Sequence, residues 1–457
     1  MSYDEITSGA RTVTTLAQHL EELQAEAGGL IGQLGVTDKG YFTPTAEDHI
    51  SHLLVSYWQS RNALFEVVEQ FREKVDYDSD ETDEFQLSVF LIGYAAAVLL
   101  VDAGRFLREA FDDNEPVRNK LNQGDPNFDI PPDVYNTVQE SLTSVTNAYH
   151  MYNATEFFDS HRGDLNAIAQ KNEQLQPVLA IIDRLGDRVR VSPTRFAKAK
   201  LQVEADVLKQ VVVSKGLGRA VYWVQEIVSR MMAHVYTVPG HQPGLPGDVI
   251  EQLYAHVQPG DVFVVRKEHA ATNYFLPGFW PHAALYIGEG KSLEELGLAA
   301  HENWKDRWGR LLDVDGDEPR RVLEAMADGV WIRSVQSPLK SDAIAVVRPM
   351  LSDGDLVTAL GRGMFHEGKQ YDFDFDFTRS DKLVCSEVIY RTYEGVGGIE
   401  FNLTSRAGRL TLASEDILDL AIDRRGFEPV AVFAPTHGEG MAVGAGAEAL
   451  LKKTMRR

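Results

Sequence analysis

The residue best suited to do chemistry in this sequence is Cys385, the only cysteine of the chain. In the segment LVCSEVIYRTYEG it is followed by Val388, Ile389 and Thr392 at helical spacing, and Gly395 provides a stop. This pattern predicts Cys385 in the first turn of a helix, where unpaired N–H groups and the helix dipole favour a thiolate. The same N–H groups could bind the oxyanion of a tetrahedral intermediate. Taken alone, a free cysteine is more often a small buried core residue.

A cysteine nucleophile needs a base, and His282 is the candidate. It stands in the segment FWPHAALYIGEG, at the start of a predicted strand that follows an aromatic and proline-rich loop. One of thirteen histidines at a strand start is more often a structural residue than a base. The separation of His282 and Cys385 in sequence does not place them together, so chemistry at this pair needs further support.

The composition limits the remaining possibilities. The chain has 457 residues, of which 44% are hydrophobic and 25% charged, as in a soluble globular protein of two or three domains. A single cysteine excludes an internal disulfide and the structural zinc sites that need two or more thiolates. The net charge of −23 repels phosphate backbones and anionic lipid surfaces, so we do not expect nucleic acid as a partner.

Neither a leader nor a membrane span is expected. The N-terminal residues MSYDEITSGARTVT lack a basic segment followed by an apolar one, unlike a secretory signal. The longest apolar run, Val89 to Val101, has 13 residues, fewer than the ~20 that a membrane helix needs. We therefore expect a cytoplasmic protein without an integral membrane segment.

The elements that must position Cys385 and His282 change character along the chain. Residues 1–238 are predicted to be helical, with apolar stripes at alternating steps of three and four in the first two segments and further helices near 84–112, 132–160 and 192–236. A helical bundle explains these stripes better than a coiled-coil dimerisation arm, because sustained heptads with charged flanks are missing.

Proline and glycine then interrupt the pattern, and we predict a linker at 239–249. Short β-branched segments of strand length follow at 261–266, 283–287, 330–335 and 343–348, with helices around 354–366 and 385–394. Residues 250–437 are thus expected to form an α+β domain, and 438–457, rich in glycine and alanine, a flexible tail.

The order of four sequence blocks in this domain resembles a known family. GDVFVVR, FWPHAALYIG, VLEAMADGVWIRSV and YDFDFDFTRSDKLVCSEVIYRTYEG follow one another as in the circularly permuted, YiiX-like branch of the NlpC-type papain-like cysteine hydrolases. The resemblance covers roughly 250–400 and implies a small antiparallel sheet and a catalytic helix. In that family a strand histidine precedes the nucleophilic cysteine, the reverse of the papain order.

Carried over residue by residue, the resemblance makes Cys385 the nucleophile and His282 the general base. Glu324, just before the segment DGVWIRSV, matches the third polar residue, which orients the imidazole. An insertion between the histidine strand and Glu324 leaves His301 or Glu302 as alternative orienting residues. The implied chemistry is acyl transfer through a thioester, with either water or a second nucleophile as the acceptor.

Three further residues are candidates for the oxyanion or substrate pocket: Tyr371, Ser386 and Trp280. Tyr371 opens a strict aromatic and aspartate alternation that ends at Phe377, which we interpret as an edge segment with one buried face. The role of Tyr371 itself stays open. The aromatic residues before His282, Trp280 among them, could form a lid over an apolar substrate or could pack against the helical half.

No cofactor or metal is expected. Asp313, Asp315 and Asp317 with Glu324 match part of a calcium-loop template, but Glu318 stands where the template needs glycine. The acidic cluster around residues 76–83 fails in the same way. Nucleotide-binding and zinc-hydrolase motifs are missing from the sequence.

The sequence leaves three hypotheses for function. The first is a cysteine amidase or peptidase acting on a small peptide or amide, and the second is a lipid-directed acyltransferase or thioesterase of the same fold. The third is a helical interaction protein whose papain-like domain is inactive and only binds. Oligomeric state cannot be read from the sequence.

Overall fold

The computed structural model describes residues 3–31, 42–71, 83–125, 130–197, 216–231, 243–268, 278–312, 318–406 and 409–455. The chain divides into two compact units, and apart from residues 127–129 the first ends at Tyr236 and the second begins at Thr237. The predicted helices of the first unit and the antiparallel sheet of the second are both confirmed.

The first unit is built from helices. Those in the described residues are α1 (Tyr3–Ile31), α2 (Pro44–Glu69), α3 (Glu84–Phe111), α4 (Glu115–Leu121), α5 (Val134–Thr143), α6 (Val145–Ser160), α7 (Arg162–Lys171), α8 (Leu175–Val189) and α9 (Gly216–Met231). The stretch predicted at 132–160 is two helices, because Ser144 leaves helical geometry and its Oγ caps α6 by accepting the Asn147 N–H at 3.3 Å. Much of the stretch predicted at 192–236 lies outside the described residues.

Helix α3 forms the centre of this unit and packs against α1, α2, α8 and α9. Its start is fixed by Asp83, whose carboxylate accepts the Gln86 N–H at 2.6 Å. By length and composition α3 could cross a membrane, but almost all of its most apolar stretch is buried within the protein. Burial of this kind is that of the core helix of a bundle, and it explains why the helix is apolar on every face.

The second unit contains a seven-stranded antiparallel sheet in the order β11-β10-β5-β1-β2-β3-β4. Its strands are β1 (Val262–Arg266), β2 (His282–Gly288), β3 (Arg321–Met326), β4 (Gly329–Ser334), β5 (Ala343–Pro349), β10 (Phe427–Phe433) and β11 (Ala442–Val443). Two small pairs accompany it, the parallel β6 (Gln370–Tyr371) and β7 (Lys382–Leu383) and the antiparallel β8 (Thr404–Arg406) and β9 (Arg409–Thr411).

Helices cover both faces of the large sheet. They are α10 (Gly247–Tyr254), α11 (Gly290–Glu295), α12 (Glu302–Lys305), α13 (Trp308–Leu312), α14 (Gln336–Leu339), α15 (Asp353–Phe365), α16 (Cys385–Tyr393), α17 (Ser414–Ile422) and α18 (Ala445–Thr454). Phe263, Ala284 and Tyr286 join Val249 and Leu253 of α10 in one core cluster. Leu285 points to the other face, where a Cβ placed on Gly363 of α15 would come within 3.1 Å of it. Closely packed layers on both sides therefore hold β2 in place.

Two expectations about the ends of this unit need correction. Residues 239–242 of the predicted linker lie outside the described part, but helix α10 already begins at Gly247. The predicted flexible tail contains strand β11 and helix α18, and α18 packs on β10 with Leu450 and Leu451 buried. The glycine and alanine content of residues 438–457 suggested a flexible tail. A short helix such as α18 is stabilised by the packing of its apolar face, which composition does not show.

Candidate active site

Cys385 is the first residue of helix α16, as its sequence pattern predicts. Leu383 pairs with Tyr371 in the β6–β7 ladder, and extended Val384 (φ −90°, ψ 169°) then leads the chain into the helix. Helix α16 packs against β2 and β3. Because Cys385 is 3% exposed, its burial alone would also suit a core residue, and its neighbours decide what it can do.

His282 is the first residue of β2, paired with Val265 of β1. Leu285 of β2 stands opposite Leu323 of β3, and side chains alternate between the two faces of a sheet. His282 lies three residues before Leu285 and Glu324 one residue after Leu323. Both side chains therefore project from the same face, opposite that leucine pair.

On this face Glu324 and His282 are hydrogen-bonded, with 2.8 Å between Glu324 Oε1 and His282 Nε2. The other carboxylate oxygen, Oε2, accepts the Ser337 hydroxyl at 2.5 Å and lies 3.7 Å from Arg333 Nε. Glu324 is 2% exposed, so these contacts replace the water that would otherwise solvate its charge. The carboxylate is thus fixed from both sides and holds the imidazole ring in one orientation.

Cys385 completes the series, because its thiol is hydrogen-bonded to His282. Glu324 already occupies Nε2, so Nδ1 is the ring nitrogen left for the sulfur. The backbone N–H groups of Ala283 and Ser386 also bond to the sulfur. Strand β2 and helix α16 therefore bring a thiol, an imidazole and a carboxylate into one hydrogen-bonded series.

The pKa values of these groups shift in opposite directions. Burial raises the pKa of the Cys385 thiol, but the charge and hydrogen bond of His282 and the two N–H groups outweigh it, and the pKa falls below its usual range. Burial lowers the pKa of His282, but Cys385 and Glu324 reverse this effect and raise it to about 10. Burial likewise raises the pKa of Glu324, whereas His282, Arg333 and Ser337 together lower it to about 2. A thiolate–imidazolium pair is the form that these shifts favour near neutral pH.

His301 and Glu302, the alternative orienting residues, have other surroundings. His301 Nδ1 accepts the Asn303 N–H at 3.2 Å and caps α12, and the imidazole lies against Gly361 of α15. Glu302 is the first residue of the same short helix. Both ring nitrogens of His282 are engaged by Cys385 and Glu324, so the imidazole has none left for either alternative.

Two of the three pocket candidates, Trp280 and Tyr371, are buried in this structure. Trp280 is fully buried, and its Nε1–H donates to Thr454 Oγ1 at 2.9 Å. Tyr371 is 5% exposed and packs on Phe373, with 4.9 Å between ring centroids. Burial does not decide whether a side chain borders a substrate, so the assignment of either residue to the oxyanion or substrate pocket stays a prediction. The Ser386 hydroxyl is buried and has no hydrogen-bond partner in the described part of the chain, and the Ser386 backbone N–H is the group that faces Cys385.

Two supporting residues escaped the sequence analysis. Ser337 lies on α14 and reaches Glu324 only because β4 and α14 fold back beside β3, for which no local pattern exists. Glu415 of α17 accepts the Phe279 N–H at 2.5 Å and the Trp280 N–H at 3.4 Å, just before His282. The one local hint of this contact is the glycine at position 278. Its φ is 117°, and a Cβ there would collide with the Glu415 carboxylate, so the close approach requires glycine.

In the described residues, no group of three or more histidine, cysteine, aspartate or glutamate side chains is arranged to hold a metal ion. Asp313, Asp315 and Asp317 of the calcium-loop template lie outside that part of the chain, as do residues 76–80 of the other acidic cluster. Asp83, at the end of that cluster, caps α3.

Comparison with known proteins gives one match. Residues 256–435 match the model of the permuted papain-like amidase enzymes, the YaeF/YiiX, C92 family. Neither the search of curated proteins nor the search of solved structures finds a significant match. The matched range contains Cys385, His282 and Glu324 and stops before α18.

The histidine strand, the cysteine helix and the matched family model together agree with the resemblance found in the sequence. In its C-terminal half, over residues 256–435, this chain is similar to the permuted papain-like amidase enzymes of the YaeF/YiiX, C92 family.

Proposed function

We propose that the second unit is a cysteine amidohydrolase that cleaves an amide bond, in a peptide or an N-acyl compound, through a thioester. The observation that carries the proposal is the hydrogen-bonded series from Cys385 through His282 to Glu324. A merely structural cysteine needs neither an imidazole partner nor a lowered pKa. The matched family consists of amidases, which supports hydrolysis of this bond type.

In the proposed reaction the Cys385 thiolate attacks the amide carbonyl carbon. The carbonyl oxygen becomes an oxyanion, and its proposed hydrogen-bond donor is the backbone N–H of Ser386, which faces the sulfur at the start of α16. The His282 imidazolium then gives its proton to the leaving nitrogen, the C–N bond breaks, and the acyl group remains on sulfur. His282 next removes a proton from water, and the resulting attack releases a carboxylic acid and regenerates the thiolate.

Glu324 acts on this cycle through His282. As an ionised carboxylate on Nε2, it keeps the proton-carrying nitrogen Nδ1 directed at the sulfur and stabilises the imidazolium. Ser337 and Arg333 hold the carboxylate in turn, so the orientation does not depend on a mobile side chain.

The two other hypotheses have less support in the described residues. The lipid-directed alternative rests on the apolar residues before His282, of which Trp280 is buried and Tyr274 and Phe275 lie outside the described part. The fourth, Phe279, is half-buried and packs against Arg266 and His437. An inactive binding domain would not need the pKa values of Cys385 and His282 to be shifted toward an ion pair.

Alkylation by iodoacetamide tests the ion pair, because any labelled thiol in this chain is Cys385. We expect the pH midpoint of the labelling rate to lie well below the ~8.5 of a free thiol. His282→Ala should return it to that ordinary range, whereas His256→Ala, which changes an exposed histidine bonded to Gln252, should not. Equal midpoints in the wild type and His282→Ala would overturn the proposal.

Trapping of the acyl-enzyme identifies the bond that is cleaved. The wild type and Cys385→Ser would be incubated with a peptide library, an N-acyl amide library and a lipid ester library, quenched in acid, and digested. The mass added to the peptide that contains Cys385 should come from the peptide or N-acyl library. An adduct from the lipid esters alone would favour the acyltransferase or thioesterase alternative.

A further inference from the structure

The helical unit contains a surface pocket of about 210 Å³ that takes no part in the site described above. It is formed by α3, α6 and α9 and by the ends of α5 and α8, and all of its lining residues belong to the helical unit. Its apolar lining includes Met151, Val189 and Ile227. Its polar part consists mainly of arginine side chains.

Three of these arginines bind only neutral oxygen atoms. Arg108 Nε donates to Gln139 Oε1 at 2.8 Å, and Arg195 Nη2 donates to the carbonyl of Leu142 at 2.7 Å. Arg105 donates to the carbonyl of Arg188. Within the described part of the chain, no carboxylate lies at ion-pair distance from any of the three. In a protein with a net charge of −23, such a cluster is an unusual concentration of uncompensated positive charge.

The other charged groups at the pocket are neutralised by their neighbours. Arg190 binds both oxygens of Asp159, at 2.9 and 3.1 Å. Glu109 and the buried Asp102 share Arg188, at 3.0 and 2.6 Å. Arg105, Arg108 and Arg195 therefore stay without a carboxylate partner in the described residues, and each uses one of its five N–H donors in the contacts described.

Asn147 supplies an independent sign of a ligand. It lines the pocket, is 8% exposed, and its Nδ2 donates to the carbonyl of Ser141 at 2.9 Å. Its Oδ1 is buried and has no hydrogen-bond partner among the described residues. Leaving a buried acceptor unpaired is costly, and a donor group on a bound molecule would relieve that cost.

We propose that this pocket binds a small molecule that carries a phosphate group and a hydroxyl or N–H donor. Guanidinium groups match the geometry and charge of phosphate oxygens, and three of them can share one phosphate. Asn147 Oδ1 accepts from the donor, and the apolar lining contacts the carbon skeleton. A pocket of 210 Å³ has the volume of roughly seven water molecules, which suits a molecule of the size of glycerol 3-phosphate or the headgroup of a phospholipid.

Titration calorimetry of the full-length protein at low salt tests this site. The probes are glycerol 3-phosphate, sulfate as an anion without a donor hydrogen, and phosphatidylcholine vesicles with or without phosphatidic acid. The variants are Arg108→Gln, Arg195→Gln and Asn147→Ala, with Arg162→Gln as the control, since Arg162 is paired with Asp183 away from the pocket. Circular dichroism checks that each variant is folded, and Arg195, which is exposed, can be replaced with the least risk to folding.

We expect saturable binding of glycerol 3-phosphate or of the vesicles with phosphatidic acid, which distinguishes a free phosphate ester from a lipid headgroup. Arg108→Gln and Arg195→Gln should weaken the binding roughly tenfold or more, and Arg162→Gln should not. Asn147→Ala should weaken the binding of glycerol 3-phosphate more than the binding of sulfate, because sulfate has no donor hydrogen for Asn147 Oδ1. Absence of saturable binding to all of the probes, or equal losses in Arg195→Gln and Arg162→Gln, would overturn the proposal. None of these results depends on the activity proposed for the second unit.

Discussion

Glu324 Oε1 and His282 Nε2 are 2.8 Å apart although 42 positions separate the two residues in the chain. Adjacent strands of the sheet supply both side chains, so the contact depends on the β2–β3 ladder and not on a flexible loop. Sites on regular strands hold their geometry more accurately than sites on loops, because ladder hydrogen bonds fix the backbone. The insertion between β2 and β3 therefore leaves this pair undisturbed.

Glu324→Gln should preserve the shape of the site and remove its negative charge. Without that charge the imidazolium is less stable, so the pKa of His282 falls and the thiolate of Cys385 loses part of its stabilisation. The acid limb of the activity profile should move to higher pH and the alkaline limb to lower pH. We expect kcat/KM on the substrate found by trapping to fall by about 10²–10⁴.

Glu302→Gln is the matched control for this change, because Glu302 is the alternative orienting residue and lies on α12. Its pH profile should coincide with that of the wild type. If the pH profile of activity narrows in Glu302→Gln and stays like that of the wild type in Glu324→Gln, the orienting role belongs to Glu302.

Ser337→Ala should also lower kcat/KM, but by less than Glu324→Gln does. The Ser337 hydroxyl donates to Glu324 Oε2 at 2.5 Å, and a hydrogen bond to a charged group contributes about 1.5–3 kcal/mol. Part of this energy is retained through Arg333, so we expect kcat/KM to fall roughly tenfold. Ser334→Ala, on the preceding strand, should leave kcat/KM unchanged, since its hydroxyl contacts only the Gln336 N–H in the contacts described. Similar losses of kcat/KM in Ser337→Ala and Ser334→Ala would mean that Ser337 supports folding and not the orientation of Glu324.

The sequence predicts strands well where β-branched residues dominate, and β1, β2, β4 and β5 lie where their patterns place them. Strand β3, with the sequence RVLEAM, was missed because leucine, glutamate, alanine and methionine favour helices. Pairing with β2 on one side and β4 on the other overrides that preference. The position of Glu324 within a strand could therefore not be read from its own segment.

The site follows from sequence only in part. Helical spacing after Cys385 predicts the start of α16, because the signal is local. Its proximity to His282 depends on long-range packing of α16 on β2, and the ordered family blocks, not periodicity, suggested it. Trp280 shows the reverse case, since a local aromatic cluster suggests a lid, whereas a contact with Thr454 near the end of the chain makes it core.

Thr454→Val should destabilise the second unit although it lies far from Cys385 in sequence. Valine keeps the shape of threonine but leaves the fully buried Trp280 Nε1–H without its acceptor, which costs about 1–3 kcal/mol. Because Trp280 immediately precedes Pro281 and His282, the pH midpoint for labelling of Cys385 should also move part of the way back toward that of a free thiol. Urea unfolding and the labelling profile measure the two effects.

Thr358→Val provides a control for the threonine substitution. Thr358 is exposed on α15, where its hydroxyl donates to the carbonyl of Gly354. Its replacement should change the free energy of unfolding by less than about 0.5 kcal/mol, as surface changes usually do. Equal stability of Thr454→Val and the wild type would show that the Trp280 N–H does not need this partner.

Glu387, two residues after Cys385 on α16, should make the stability of the fold depend on pH. It is fully buried, and Arg391 Nε and Nη2 donate to its Oε1 at 2.9 and 2.7 Å. Burial raises the pKa of Glu387, Arg391 opposes this, and the charge of Asp372 adds to the rise, to about 8. A carboxyl group with a raised pKa in the folded state holds its proton there more tightly than in the unfolded chain. Its contribution to stability is therefore complete below about pH 4.5 and is lost as the pH rises through about 8.

Glu387→Gln removes this titration while keeping the size of the side chain. Glu387 Oε2 has no hydrogen-bond partner within the described residues, so the amide nitrogen of glutamine can take its place. The free energy of unfolding of the wild type and of the variant is measured with urea at each pH from 5 to 9. The difference between the two proteins at each pH removes the contribution of all other titrating groups. The variant should gain stability relative to the wild type with rising pH, at up to about 1.4 kcal/mol per pH unit, the limit for one proton. A difference that stays constant over this range, or falls, would mean that Glu387 is ionised in the fold and serves as a permanent partner of Arg391.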